Sequence, residues 1–318
     1  QFSPIEDHPG VTREIMCSRE QACVACFSSH GPGGRVVNGT TKDTFIFHPG
    51  SWGDTSSLCG CGAEGGIEHF ERLKNGFMGK MKLDLFKCII DQIEKEVEFI
   101  SLASRGEPLA NPDIPEMLGY CKDKFLNLKI NTNASLLDEK KIHAILSGGV
   151  KTLVFSADAA DEKLYSELRV NGNLKKVLKN IEHFQTIREK KYPKNKIISR
   201  VSGVKFNEKQ KFDDMVQLWS GLVDQVAFVD YNPWENTYKQ PANDITEPCS
   251  DLWRRMFIWW DGKINPCDVD YKSELSVGNI NNSRIEDLWN SNEYNNLRSK
   301  HIKKNRSKLS PCKGCTVV

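Results

Sequence analysis

The feature that most constrains the fold is a repeated pattern of element types. From residue 11 to about 232, short runs rich in β-branched and aromatic residues alternate with stretches of helical periodicity. Strands are expected at VTREIM (11–16), VEFISLA (97–103), LNLKINT (126–132), VKTLVFSA (150–157), KIISRVSGV (196–204) and DQVAFVD (224–230). Between them, Phe86, Ile89, Ile90 and Ile93 recur at helical spacing behind Asp84, which is placed to cap that helix. Leu174, Val177, Leu178, Ile181 and Phe184 repeat the pattern, and a third amphipathic stretch runs from about Asn207 to Leu222. Roughly six strand–helix alternations imply an α/β fold with parallel strands and right-handed crossovers. The sheet closes either as a doubly wound layer or as a partial or full barrel, and in both the ligands gather at the C-terminal strand ends.

Two segments break the rhythm. Residues 27–80 are Gly- and Ser-rich and far longer than an ordinary strand–helix connection, as a lid or insertion would be. Near Asn232 the texture changes: YNPWENTYKQPANDITEPC reads as a linker, RMFIWWDGKINPC as a hairpin about Asp261-Gly262, and SRIEDLWNSNEYNNLRSK as a short helix. The expected organisation is a core over 1–232, with an insertion at about 27–80, then a linker and small module over 233–318.

Composition excludes several classes. Across 318 residues the net charge is +2, so no global field points to nucleic acid or an anionic membrane. No apolar run approaches the ~20 residues of a membrane span, and QFSPIEDHPG lacks the pattern of a secretion signal. The chain is expected in a reducing cytoplasm. Its 11 cysteines, an odd number unevenly spread, then point to metal ligation rather than to a disulfide framework.

Cys17, Cys23 and Cys26 follow the first expected strand. Three thiolates cannot complete a four-ligand structural zinc site, whereas a [4Fe–4S] cluster on three cysteines keeps one iron free for a small molecule. Buried, unreactive thiols are the plain alternative. Cys249, Cys267, Cys312 and Cys315, with a closing C-x2-C, can enclose one centre, either a structural zinc or an iron–sulfur cluster. A metal staple suits so small a module. Cys59 and Cys61 stand in a Gly-rich loop as a further metal pair or as incidental thiols, and Cys88 and Cys121 are expected in helix cores. The seven histidines form no spaced metal pair, and Trp253, Trp259 and Trp260 are expected to pack the small module.

The triplet, then SRGEPLANP at the second strand's end, INTN, and FSADAADEKLYSELRVNG resemble the radical S-adenosylmethionine (radical SAM) enzymes. The tail, C…GKINPC…VGNINNSRIEDLWNS…LR…CKGC, is similar to their SPASM/twitch auxiliary-cluster module. The resemblance implies a partial (β/α)6 TIM-like barrel with a small C-terminal α+β module. It implies SAM and two [4Fe–4S] clusters, one on Cys17, Cys23 and Cys26 and one on Cys249, Cys267, Cys312 and Cys315. By position, Gly106 and Glu107 would meet the methionine amino group, Ser156 and Asp158 the ribose, and Arg169 the carboxylate. Asn131 and Asn133 are further strand-end candidates, and Ala25 stands where the family often carries an aromatic near adenine, with Phe27 as a substitute. The first cysteine spacing is five residues rather than the usual three, and the tail holds four cysteines rather than the seven or so of full SPASM domains.

The resemblance also implies an external electron donor such as flavodoxin or ferredoxin, and no nucleic-acid or membrane partner. A fully ligated auxiliary cluster is suited to accept an electron, so the expected function is an oxidoreductase. It would abstract a substrate hydrogen with a 5′-deoxyadenosyl radical and dehydrogenate a sugar or aminocyclitol-like molecule. A base is then needed, and Asp230, Tyr231, Arg200, Asp268 and Asp270 are candidates. The alternatives are peptide modification (thioether, crosslink or epimerisation), a redox-neutral sugar epimerisation or rearrangement, and, more remotely, a zinc-stapled binding protein. No separate ~80–90-residue leader-recognition segment is visible, which favours a small-molecule substrate over a peptide. Metal analysis of anaerobically prepared protein separates the classes: brown material with about eight irons is expected, whereas colourless protein carrying zinc would exclude the radical chemistry.

Overall fold

The computed structural model describes residues 44–47, 79–103, 106–169, 172–231, 237–270 and 272–318. Six strands succeed one another along a parallel sheet: β1 (Thr44–Phe47), β2 (Phe99–Leu102), β3 (Asn127–Thr132), β4 (Val150–Ser156), β5 (Ile198–Lys205) and β6 (Gln225–Asp230). The helices between them are α1 (Leu83–Ile93), α2 (Ile114–Cys121), α3 (Glu139–Ser147), α4 (Glu162–Leu168), α5 (Leu174–Lys191) and α6 (Phe212–Ser220). Five expected strands, β2 to β6, lie where the sequence pattern put them. The expected strand at 11–16 falls outside the described residues. The strand beside β2 is instead Thr44–Phe47, inside the segment read as an insertion. Its four residues have strand composition, but they are fewer than a typical strand and are embedded in Gly-rich chain, so the pattern hid them.

Strands β2 to β4 are buried on both faces along most of their length, as the inner strands of a parallel sheet are. Leu102, Ile130, Leu153, Phe155 and Val201 point outward into the main core against Phe86, Ile89, Ile90 and Ile93 of α1 and Val177, Ile181 and Phe184 of α5. The alternate positions, Ser101, Lys129, Asn131, Val154 and Ser202, therefore line the inner, concave face. Asp138, Asp161 and Asn173 cap α3, α4 and α5 through their side chains. Asp84 does not cap α1. Lys82 holds the cap position, and Asp84 sits within the first turn, where its charge complements the helix dipole.

The C-terminal segment joins the same sheet. α7 (Asp251–Arg254) leads into β7 (Arg255–Ile258), which pairs parallel with β1 and turns at Asp261-Gly262 into β8 (Lys263–Asn265), followed by β9 (Gly278–Asn279). The hairpin was expected, but its fusion to the core sheet was not. Gly262 has φ +84°, the left-handed turn geometry that favours glycine. Two helices close the module, α8 (Ile285–Trp289) and α9 (Asn292–Ile302). Arg298 of α9 stacks 4.4 Å from the Trp289 ring and 4.2 Å from Tyr294, and it donates to the Leu252 and Trp289 carbonyls. Ile285 N donates to Gln92 Oε1 of α1 at 2.9 Å, tying module to core. Among the described residues no helix is long and apolar enough to cross a membrane.

Gly79 also bridges the two parts, because a Cβ there would come within 2.1 Å of the Trp260 ring. A Gly79→Ala substitution should destabilise by about 1–3 kcal/mol in denaturant unfolding. Gly119→Ala, in α2 with nothing within 4 Å, should stabilise by about 0.5–1 kcal/mol.

Candidate active site

The C-terminal ends of β2 and β3 are joined by one carboxylate. Glu107 is buried, and its Oε1 accepts from Leu109 N at 3.0 Å and from Thr132 Oγ1 at 2.7 Å. Its Oε2 accepts from Asn133 N at 2.8 Å. Glu107 thus organises the strand ends as well as standing where an ammonium acceptor is expected, beside half-buried Gly106. Asn133 turns its Oδ1 back to Ser135 N. Its Nδ2, the Asn131 Oδ1 and the Ser101 Oγ are buried without a partner among the described residues. Three uncompensated polar atoms on one concave wall are costly unless a ligand or water meets them.

The ends of β4 and β5 are held by a second network. Asp158 Oδ1 accepts from Val204 N at 2.8 Å, and Arg169 lies against its Oδ2 at 2.7 Å with both side chains buried. Gln210 donates to the Asp158 and Val204 carbonyls at 2.7 Å each, and its Oε1 accepts from Phe206 N and Asn207 N. Asp158 and Arg169, expected at ribose and carboxylate, are therefore paired with each other. Ser156 ends β4 on the concave face, in register with Ser202.

Strand register sets the rest of the wall. Ser101, Lys129 and Thr152 form one row across β2, β3 and β4, and Asn131, Val154, Arg200 and Gln225 form the next. Lys129 is fully enclosed. Burial, and then the nearby Arg255 and Arg200 cations, push its ammonium well below the ordinary lysine range. The sequence reading missed Lys129, although a lysine inside the apolar run LNLKINT on the inward parity was a visible signal. Arg200 is pulled down to about 10 by burial, and its Nε donates to Gln225 Oε1 at 3.0 Å, so it acts as a wall cation. Asp230 is misplaced for a base. It shares the outward parity of Phe228, which packs on Phe212 of α6, and it is exposed, with Lys205 at 3.4 Å. Tyr231 packs edge-on against Phe206, with ring centroids 4.7 Å apart.

The four C-terminal thiols gather in the small module. Burial, then the neighbouring Cys312, Asp270, Cys249 and Cys315, push the Cys267 thiol well up. Burial and Cys315 push Cys312 up to about 12, and burial and Asp251 raise Cys249. Cys315 is likewise raised, chiefly by burial. The thiols feel one another's charge, yet no three His, Cys, Asp or Glu side chains among the described residues converge tightly enough for a single metal ion. Arg306, buried, donates to the Cys312 and Cys315 carbonyls and clamps the tail. His301 Nδ1 accepts from Cys249 N at 3.2 Å, and burial with Arg306 pulls this ring down to about 4, so it is neutral. Asp270, raised to about 6 by burial, accepts from Tyr238 Oη and from Glu274 N and Leu275 N. Cys121 is buried as expected, but Cys88 is exposed, because it falls one position outside the apolar stripe of α1. Cys17, Cys23, Ala25, Cys26, Cys59 and Cys61 lie outside the described residues.

Comparison with known proteins agrees with this architecture. The Radical SAM superfamily profile matches residues 59–217, and an iron–sulfur cluster-binding domain, SPASM, matches 249–316. The first match begins at Cys59 and does not include the Cys17–Cys23–Cys26 triplet. An AdoMet-dependent heme synthase of Methanosarcina barkeri is 30% identical over 105 residues, 33% of this chain and 30% of that protein. The chain spans about a third of the length of the curated relatives it matches. BtrN in complex with AdoMet and 2-DOIA superposes with a TM-score of 0.55 at 16% identity, covering 88% of this chain and 94% of that one. SuiB of Streptococcus suis, bound to its precursor peptide, gives 0.62 at 15% identity, covering 100% and 84%.

The Asp158–Arg169 pair gives a direct test of the second network. Removing one partner of a buried ion pair strands the other, so Asp158→Asn should lose about 3–5 kcal/mol in urea unfolding. A loss below 1 kcal/mol would show that the pair is not enclosed.

Proposed function

Because this chain belongs to the radical SAM superfamily and ends in an iron–sulfur cluster-binding SPASM module, we propose that it dehydrogenates a small, hydroxyl-bearing molecule held against the concave face of its sheet. The observation that carries the proposal is the set of four thiols brought together in the small module, Cys315 buried and Cys249, Cys267 and Cys312 half-buried, each with its proton affinity raised chiefly by burial. Such a set fully ligates an auxiliary cluster, leaving no open iron for substrate and making electron acceptance its natural task. When bound, SAM and the two clusters supply hydrogen-atom abstraction at carbon and a sink for the second electron.

The chain's own residues do the rest. Cys17, Cys23 and Cys26 hold the SAM-binding cluster in this proposal. Glu107, fixed by Thr132 and Asn133, offers the acceptor for the SAM ammonium, and Ser156 and Arg169 stand at the other side of the strand ends. Ser101 Oγ, Asn131 Oδ1 and Asn133 Nδ2 are placed to bind substrate hydroxyls, which supports a polar molecule. Lys129 Nζ, its proton affinity lowered by burial, takes the hydroxyl proton as the carbonyl forms.

Anaerobic incubation with SAM and a strong reductant should yield 5′-deoxyadenosine, with deuterium transferred from the carbinol position of the correct polyol. Lys129→Gln should still cleave SAM while forming at least tenfold less oxidised product. Equal losses of both would remove the base role. Alanine substitution of Cys17, Cys23 and Cys26 should abolish SAM cleavage; unchanged cleavage in these variants would remove the assignment of that cluster. Deuterium transfer only from peptide substrates would replace the small-molecule proposal.

A further inference from the structure

We propose that His301 donates a hydrogen bond from Nε2 to the auxiliary cluster, as a positioning residue that eases its reduction. This rests on the proposal that Cys249, Cys267, Cys312 and Cys315 hold that cluster. His301 lies in the last turn of α9 and is 1% exposed. Its Nδ1 accepts from Cys249 N, and a ring nitrogen that accepts from an N–H carries no hydrogen, so the neutral ring bears its hydrogen on Nε2. That Nε2 is buried and has no partner among the described residues. An unpaired buried donor is costly, and an acceptor at this spot would recover that cost.

The neighbours of the ring argue for the acceptor. It is anchored on the backbone of one thiol-bearing residue, whose side chain is electrostatically coupled to Cys315 and Cys267. Arg306, the cation beside the ring, already spends three of its contacts on the Cys312, Cys315 and Val317 carbonyls. The acceptors a cluster on these thiols would bring are thiolate and sulfide sulfurs. An N–H directed at sulfur stabilises the more negative, reduced state and raises the potential.

The test uses the full chain with both clusters loaded. The auxiliary cluster is the one whose EPR signal does not change on adding SAM. Pulsed EPR of histidine-15N-labelled protein should show 15N coupling at that signal, absent from His301→Gln. In a potentiometric titration, His301→Leu should lower the reduced-to-oxidised ratio about tenfold at fixed potential, a 59 mV negative shift for one electron. His301→Gln, which keeps a donor, should fall within about threefold of the unsubstituted protein. Absence of histidine 15N coupling, or an unchanged potential in a loaded His301→Leu, overturns the inference; if that variant does not load, the labelling result decides. Absence of any SAM-insensitive cluster overturns the four-thiol assignment instead.

Discussion

The structure depends on one constraint, the two-residue alternation of strands that are buried on both faces. Side chains at successive positions must go to opposite sides of the sheet. Once Leu102, Ile130, Leu153, Phe155 and Val201 are committed to the helices, Ser101, Lys129, Asn131 and Ser202 have nowhere to go but the concave face. The polar wall therefore follows from the same register that builds the apolar core. A one-residue slip in any strand would exchange the two sets.

Polar groups enclosed in this way need partners, and the protein provides them chiefly at strand ends. Glu107 satisfies the Thr132 hydroxyl and the Asn133 amide, and Asp158 satisfies Val204 N and Arg169. These networks fix the ends of β2 to β5 relative to one another, which is what a small ligand held in one orientation requires. The atoms left unsatisfied, on Ser101, Asn131 and Asn133, are displaced from the scaffold role and so are available to a ligand.

The small module is welded to this scaffold by main-chain pairing of β7 with β1, by Gln92 with Ile285, and by Trp260 against Gly79. Its thiols come from positions as far apart as Cys249 and Cys315, and burial raises the proton affinity of both. The continuity of the sheet ties the module to the core strands through main-chain pairing.

The sequence alone determined the parallel architecture, the places of β2 to β6 and the Asp-Gly hairpin, because each is written in local periodicity or spacing. It also marked Glu107, Ser156 and Asp158 near strand ends, and Arg169 thirteen residues past Ser156. It did not reveal that Asp158 and Arg169 pair, that Asp230 faces the helices, that β7 joins the core sheet, or that Thr44–Phe47 is a sheet strand. Nor did it single out Lys129 or His301. Those facts depend on which distant atoms share a space and how far water is excluded from it. Such long-range proximity and burial are properties of the packed chain, which local pattern at most hints at, as the inward parity of Lys129 hints at its enclosure.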